Sequence, residues 1–415
     1  MKEPIKKHIF IAMHYMEIGG AEISLIGLLQ ALDYSKYDVD LFIYSHQGEL
    51  MQFIPKEVHL LPEIKSYAYI ERPIVNALWH GEWRIIYGRL KAKWQFRKYL
   101  KRKKPKDGSA ILQYVARNVE LYLPSLHYLG EYELAISFLH PHNYVLSKVK
   151  AKKKICWIHT DYSKIDANAK LELPIWSAYD QIMSISTETS KTFLKIFPSL
   201  ASRVMVMENI LSQSFVRGRS EQVAQNVVEK EMPREKGVIS LLSVGRFCEA
   251  KNYDNVPDIC KRLNDLLNEN EDEKRTIKWY IIGWGEDEEL IHLEITKAKM
   301  ENYVILLGKK TNPYPYIKAC DIYCQPSRYE GKSVTVREAQ MLCKPVVVTD
   351  YPTVKSQVQD DIDGVIVPMD NEGCAKGIAE FILNKQKQKR IVDYLQSNDY
   401  GNEREVEKLY KLVQC

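Results

Sequence analysis

Short apolar runs, each followed by a stretch with helical spacing, recur along this chain in two separate series. In the first, "HIFIAM" leads through "GG" into "AEISLIGLLQAL". "YDVDLFIY", "ELAISFL", "KKICWIH", "QIMSIS" and "RVMVMEN" follow. A second series begins near residue 237 with "VISLLSVG" and continues through "IKWYIIG", "YVILLG", "IYCQPS", "PVVVTD" and "GVIVP". Apolar runs bounded by turn residues and alternating with helices are the pattern of a parallel sheet. Two such series predict an α/β chain of two doubly wound, Rossmann-like domains facing across a cleft. At 415 residues the chain is long enough for each domain to bury its own core.

The sequence divides into 1–212, 213–395 and a terminal helix in 396–415. The stretch after residue 211, "SQSFVRGRSEQVAQNVVEKEMPREKG", has few apolar positions at either period and reads as a linker or solvated arm. Near the end, "EREVEKLYKLVQ" places Val406, Leu409, Tyr410 and Leu412 on a short helix that is expected to fold back on one of the two domains, with the N-terminal domain as the first choice. Residues 63 to 130 interrupt the first series as inserted helices rich in Trp, Tyr, Arg and Lys.

No run of 18 apolar residues is present, so no membrane-spanning helix is expected. The opening "MKEPIKKHIFIAMHYMEIGG" fits a strand better than a secretion signal. The eight cysteines are scattered, and Cys320 and Cys324 have no His partner at zinc-site spacing. They read as reduced, mostly buried thiols of a cytoplasmic protein without a metal site.

The net charge of +5 is unevenly spread. Eleven basic residues and no acid lie between Arg84 and Lys106, so the rest of the chain is net acidic. Ile85, Ile86, Leu90, Trp94, Phe96 and Tyr99 are interleaved with them. Such a segment suits a peripheral helix on the anionic inner face of a membrane. A solvated helical face is the plainer alternative. Nucleic acid is set aside, because no recognised motif accompanies the charge.

In open parallel sheets ligands bind beyond the carboxyl ends of the strands. After the first strand, Gly19 and Gly20 allow a tight turn into a helix whose amides suit an anion. A plain strand-to-helix turn is the favoured reading of a lone Gly-Gly. After the first strand of the second series come Gly245, Arg246 and Lys251, two cations able to hold a diphosphate or simply to face water. Gly283 and Gly285 repeat the design weakly. "SRYEGKSVTVREAQ" adds Glu330 in a loop and Glu338 in the helix after it. Residues eight apart on a helix differ in direction by about 80°, so these carboxylates do not form a tight pair. "TVRE" also matches a capping box with Thr335 as N-cap and Glu338 at N3. The amides of Ser333, Val334 and Thr335 form a second anion cradle.

These elements together, with "CDIYCQPSRYEGKSVTVREAQMLCKPVVVTD" and "DGVIVP", resemble the retaining, nucleotide-sugar-dependent glycosyltransferases of family four, which have the GT-B fold. The two glutamates match that family's Glu-x7-Glu signature. "GGAEISLIGLLQAL", "AKKKICWIHTDYS", "IMSISTETS" and "VMENI" resemble weaker first-domain features in the same order. The "EGKS" variant and the "WIH" strand look like the branch that builds bacterial surface polysaccharides. The resemblance implies that Glu338 holds the ribose and that Arg246 and Lys251 hold the diphosphate. Gly245, Gly331, Lys332, Ser333, Val334 and Thr335 would lie around that diphosphate. Glu330 would contact the donor sugar, His159 would face the reacting sugar, and Gly19 and Gly20 would lie near the phosphate or acceptor. Lys332 departs from the apolar or aromatic residue common there.

The implied reaction moves a sugar from a nucleotide-diphosphate donor to a saccharide or lipid-linked acceptor, with retention and without a metal or other cofactor. A nucleotide-sugar 2-epimerase and a non-catalytic nucleotide-sugar-binding subunit are the rivals. The first would need no acceptor. The second would tend to lose Arg246, Lys251, Glu330 and Glu338, which this chain keeps together.

Overall fold

The computed structural model describes residues 6–103, 110–163, 165, 167–222, 225–268, 275–330 and 332–414. The chain forms two compact units. One comprises Met1–Leu211 with Asn402–Cys415, and the other Ser212–Gly401.

The first unit holds strands β1 (Lys7–Met13), β2 (Tyr37–Ile43), β3 (His59–Leu60), β4 (Glu131–Ser137), β5 (Lys150–Ile158), β6 (Gln181–Ser184) and β7 (Val204–Val206). They form a parallel sheet in the order β3-β2-β1-β4-β5-β6-β7. β1 pairs Ile9 with Val39 on one side and with Leu134 on the other. Residues Ile9 to Met13 are all buried, so this strand is apolar on both faces rather than alternating. The second unit holds β8 (Val238–Val244), β9 (Thr276–Ile282), β10 (Val304–Gly308), β11 (Ile322–Gln325), β12 (Val346–Thr349) and β13 (Val365–Val367). Their order is β10-β9-β8-β11-β12-β13, again parallel. Both sheets therefore reverse direction beside their first strand. The switch lies between β1 and β4 in one unit and between β8 and β11 in the other.

The insertion is helical, with its longest helix at Trp83–Lys103 packed against Ile111–Val119. Its apolar residues separate into two sets. Ile85, Ile86 and Ala92 are buried. Phe96 and Tyr99 pack their rings against Tyr114 on the neighbouring helix. Trp83, Tyr87, Leu90 and Trp94 point outward at spacings of four, three and four, which is one helical face. Lys103's side chain, Lys104 and Lys106 lie outside the described residues.

The stretch read as a solvated arm is instead two short helices, Gln213–Ser220 and Gln225–Glu231, packed on the second unit. Val216, Arg219, Val228 and Met232 are buried. Polar residues make much of the attachment, which hides it from an apolar-period search. Tyr316 donates to Glu231 at 2.6 Å, and Asn312 donates to the Arg219 carbonyl at 2.7 Å. The seven cysteines among the described residues are free thiols, five of them buried.

The second unit runs to Gly401, six residues beyond the boundary read from the sequence, and the chain then rejoins the first unit. The Asn402 side chain receives the Leu211 N–H at 2.8 Å. On the helix Val406–Gln414, Leu409 is buried, and Tyr410 stacks on Tyr37 with centroids 4.8 Å apart. The Tyr410 hydroxyl also accepts the Asp33 N–H at 2.7 Å. Tyr410→Ala removes the stacked ring and this acceptor together. It should lower unfolding stability by about 2 kcal/mol, read by chemical denaturation, whereas Tyr410→Phe should retain most of it.

Candidate active site

The loop after β8 runs against the loop after β9 with no room for side chains between them. A Cβ on Gly283 would lie 1.9 Å from the Gly245 oxygen, and one on Gly285, at φ +158°, 2.2 Å from the Phe247 oxygen. The backbones are tied by Gly245 N–H to Ile282 O (3.0 Å) and Phe247 N–H to Trp284 O (2.8 Å). Gly283 and Gly285 are thus explained by packing, not by a ligand. Gly245 serves a different purpose. A Cβ there would meet the Tyr253 hydroxyl at 2.8 Å and Lys251 Cε at 3.0 Å. Its absence lets the Lys251 side chain lie across the strand end. Arg246 stands exposed beside it.

Lys251 reaches the loop after β11. Its Nζ lies 2.5 Å from Glu330 Oε1, with both side chains less than a fifth exposed. The same oxygen accepts Ser327 Oγ at 2.7 Å and Gln325 Nε2 at 3.4 Å. A second bridge fastens the two loops. Arg328 forks onto both oxygens of Asp254 at 3.0 and 2.6 Å, and its N–H donates to Ala250 O at 2.8 Å. Arg328 and Asp254 were not singled out from the sequence. Arg328 sits inside a quoted motif and Asp254 three residues after Lys251, but only the topology, with β8 beside β11, says that those stretches meet.

The helix Val334–Met341 begins after Ser333, not after Thr335, and Ser333's side chain makes no capping bond. The Ser333 N–H, expected in the anion cradle, already donates to Gln357 Oε1 at 2.8 Å. Gln357 Nε2 returns a bond to the Ser333 carbonyl. The half-buried Val334 and Thr335 supply the first helical amides, which lack acceptors within their own helix. Lys332 is half-buried, and Gly331 lies outside the described residues.

Glu338 is not a capping residue. It is 1% exposed and turned inward, and it accepts the Tyr314 hydroxyl at 2.7 Å. Burial raises its pKa to about 7, against the opposing effects of the Tyr314 bond and the Arg219 charge. The Arg219 guanidinium packs over the rings of Phe215 and Tyr314. Glu330 and Glu338 therefore have separate partners and share no proton.

The remaining candidates belong to the first unit. The helix Gly20–Ala31 starts behind Gly19, where a Cβ would lie 2.2 Å from Glu22 Oε2. The chain's own carboxylate thus lies at the helix start expected to receive an anion. Gly20 is the open position, with no atom within 4 Å of where its Cβ would be. His159 follows β5 and packs its ring on Phe138, with centroids 4.8 Å apart. It lines a cavity together with His14, His140 and His142. Burial pushes its pKa down to about 4.

The raised pKa of Glu338 gives a signed expectation. In the native state the group keeps its proton up to about pH 7, whereas unfolded it loses it near its ordinary value. Its favourable contribution is complete at low pH and is lost as pH rises through 7. Glu338→Gln keeps the shape without the titration. Its stability relative to the parent chain should rise by up to about 3 kcal/mol between pH 4 and 8, and a flat difference across that range would contradict the assignment.

Comparison with known proteins finds relatives in sequence and in fold. The sequence profile described as "Glycosyl transferases group 1" matches residues 226–397. A Campylobacter jejuni N-acetylgalactosamine-N,N'-diacetylbacillosaminyl-diphospho-undecaprenol 4-alpha-N-acetylgalactosaminyltransferase is 29% identical over 153 residues, covering 37% of this chain and 38% of that protein. The Erwinia amylovora amylovoran biosynthesis glycosyltransferase AmsD is 24% identical over 261 residues, 62% of this chain and 69% of that one. The solved structure of Anabaena HepE with UDP-glucose superposes with a TM-score of 0.60 at 15% identity, covering 98% of this chain and 97% of HepE. Two parallel-sheet α/β domains of the GT-B class are the shared fold. Over residues 226–397, the chain is similar to the group 1 glycosyl transferases.

Proposed function

We propose that this chain transfers a sugar from a nucleotide-diphosphate donor to a saccharide or lipid-linked saccharide, with retention, in bacterial surface-polysaccharide synthesis. The observation that carries the reading is the Lys251–Glu330 pair at the switch point between β8 and β11, with Arg246 exposed beside it. Negative charge grows on the diphosphate as it leaves the anomeric carbon. Fixed cations and helix amides aimed at it lower that barrier. Arg246, Lys251 and the amides of Val334 and Thr335 are assigned to the diphosphate, Glu330 to the donor sugar and Glu338 to the ribose. With two cations in that role, no metal is required. The relatives support the class of reaction. HepE's structure contains UDP-glucose, and the Campylobacter relative is named for a lipid-linked acceptor.

The outward face of the helix Trp83–Lys103 supplies a place for such an acceptor's membrane. Trp83 is 63% and Trp94 56% exposed, with Tyr87 and Leu90 between them. Arg84, Lys91, Arg97, Lys98 and Lys101 share the helix, and the Lys98 ammonium lies 3.4 Å above the Trp94 ring. Aromatic residues that enter the headgroup region and cations worth roughly 1 kcal/mol each near anionic lipid make this a peripheral docking face. Cytoplasmic residence on the inner leaflet completes the proposal.

UDP, GDP and ADP should be titrated against thermal stability, with and without chelator. One of them should raise the melting temperature by mass action, unaffected by chelator, and Arg246→Ala should abolish the shift. The same variant should lower turnover by about 10²–10³-fold. Restoration of a chelator-abolished reaction by magnesium or manganese would contradict the metal-free assignment. For the membrane face, the chain should sediment with anionic vesicles and not with neutral ones, less so as salt rises. Trp83→Ser with Trp94→Ser should remove most of that binding.

A further inference from the structure

Two tyrosine hydroxyls near the Lys251–Glu330 pair, those of Tyr253 and Tyr351, are buried without a hydrogen-bond partner. Both residues are 1% exposed. Buried polar atoms are nearly always paired, and an unpaired hydroxyl costs stability in the arrangement that leaves it so. Two such donors near one carboxylate point to a second arrangement that uses them.

Three neighbouring loops, after β8, β11 and β12, set the places of these side chains. The Tyr253 hydroxyl lies 2.8 Å from where a Cβ on Gly245 would be, and Lys251 Cε lies 3.0 Å from the same point. This phenol therefore stands against the tail of the lysine. Gln325 is close to it but committed elsewhere. Its amide donates to Ser327 and Glu330, and its carbonyl accepts the Tyr323 hydroxyl at 2.8 Å. Tyr351 lies in the loop after β12, which is stitched to the Glu330 loop on both sides of it. Thr349 Oγ1 donates to the Ser327 carbonyl at 2.6 Å, and Thr353 Oγ1 to the Glu330 carbonyl at 2.8 Å. Burial first, and then the Glu330 charge, raise the pKa of both phenols. Each is thus a neutral O–H donor at physiological pH.

Glu330 is the acceptor in this group that a ligand leaves short. Lys251, Ser327 and Gln325 all bond its Oε1. A diphosphate carries more negative charge than one carboxylate and competes for the Lys251 ammonium. Glu330, less than a fifth exposed, then loses its cation, the costly outcome for a buried charge. Hydroxyls that donate to a carboxylate make strong, charge-assisted bonds and offset that loss.

We infer that Tyr253 and Tyr351 are positioning residues for Glu330, whose hydroxyls bond its carboxylate when a diphosphate takes Lys251. That the diphosphate belongs to a sugar donor rests on the transferase reading above. Tyr253→Phe and Tyr351→Phe keep the rings and remove the donors. Without nucleotide, both variants should melt at or above the temperature of the parent chain, because each loses an unpaired hydroxyl. Whichever of UDP, GDP and ADP stabilises the parent should bind the double variant about tenfold more weakly. That deficit should shrink from about pH 8 to 5, since a proton on Glu330 replaces the missing donors. A second cycle needs no nucleotide. Lys251→Met removes the cation permanently, so adding either Phe substitution there should lower the melting temperature by about 3 °C. Equal losses with and without Lys251 would make the tyrosines merely structural and overturn the inference. Unchanged nucleotide affinity in the double variant would overturn it too, and that arm serves if Lys251→Met fails to fold. Silence of the parent toward all three nucleotides overturns the donor site instead, and the Lys251→Met cycle then decides the role of the phenols alone.

Discussion

The second unit's site depends on one ion pair across a sheet's switch point, Lys251 with Glu330. Its value is positional more than energetic. Taking both charges out of water offsets much of their attraction, so a pair this buried adds little net stability. Removing one partner is costly, because the other is left buried and uncompensated. The surrounding structure is arranged so that neither loop moves alone. Gly245 gives Lys251 its path, Ser327 and Gln325 hold the carboxylate, and the Arg328–Asp254 fork closes the gap behind. A diphosphate entering beside Arg246 would meet a lysine already desolvated and aimed. Part of the ordering cost of binding would be met by the fold.

Much of this frame was legible in the sequence, because a parallel sheet writes itself as apolar runs. Each quoted run became a strand, from "HIFIAM" in β1 to "GVIVP" in β13. That Glu330 and Glu338 form no tight pair was legible too, though not for the angular reason: the helix starts at Val334, Glu330 lies in the loop before it, and each has its own partner. What failed were inferences that used only near neighbours. "TVRE" has the spacing of a capping box, but Glu338 is drawn inward by Tyr314 and lies near Arg219, 24 and 119 residues upstream in contacts no local pattern encodes. The Ser333 amide looked available until Gln357, 24 residues on, claimed it. The helices of 213–231 read as solvent-facing because their attachment is largely polar.

The basic insertion shows the same limit from another side. Its composition announced an amphipathic segment but not which apolar residues face outward. Ile85 and Ile86 are spent on the core, and Phe96 and Tyr99 on the neighbouring helix. The exposed stripe is what packing leaves over, and it is assigned only once the helix Ile111–Val119 is in place.

The two units place chemistry at equivalent points of their sheets but with opposite electrostatics. Beyond β8 and β11 stand Arg246, Lys251 and Arg328, with Glu330 the counter-ion of Lys251 and Asp254 that of Arg328. Beyond β1 and β4 stand imidazoles that burial keeps uncharged, with their one strong acid, Glu71, already matched by His14 and Arg89. Coulomb energy in a partly dry site grows as the effective dielectric falls, so this contrast sorts ligands by charge before any shape is read.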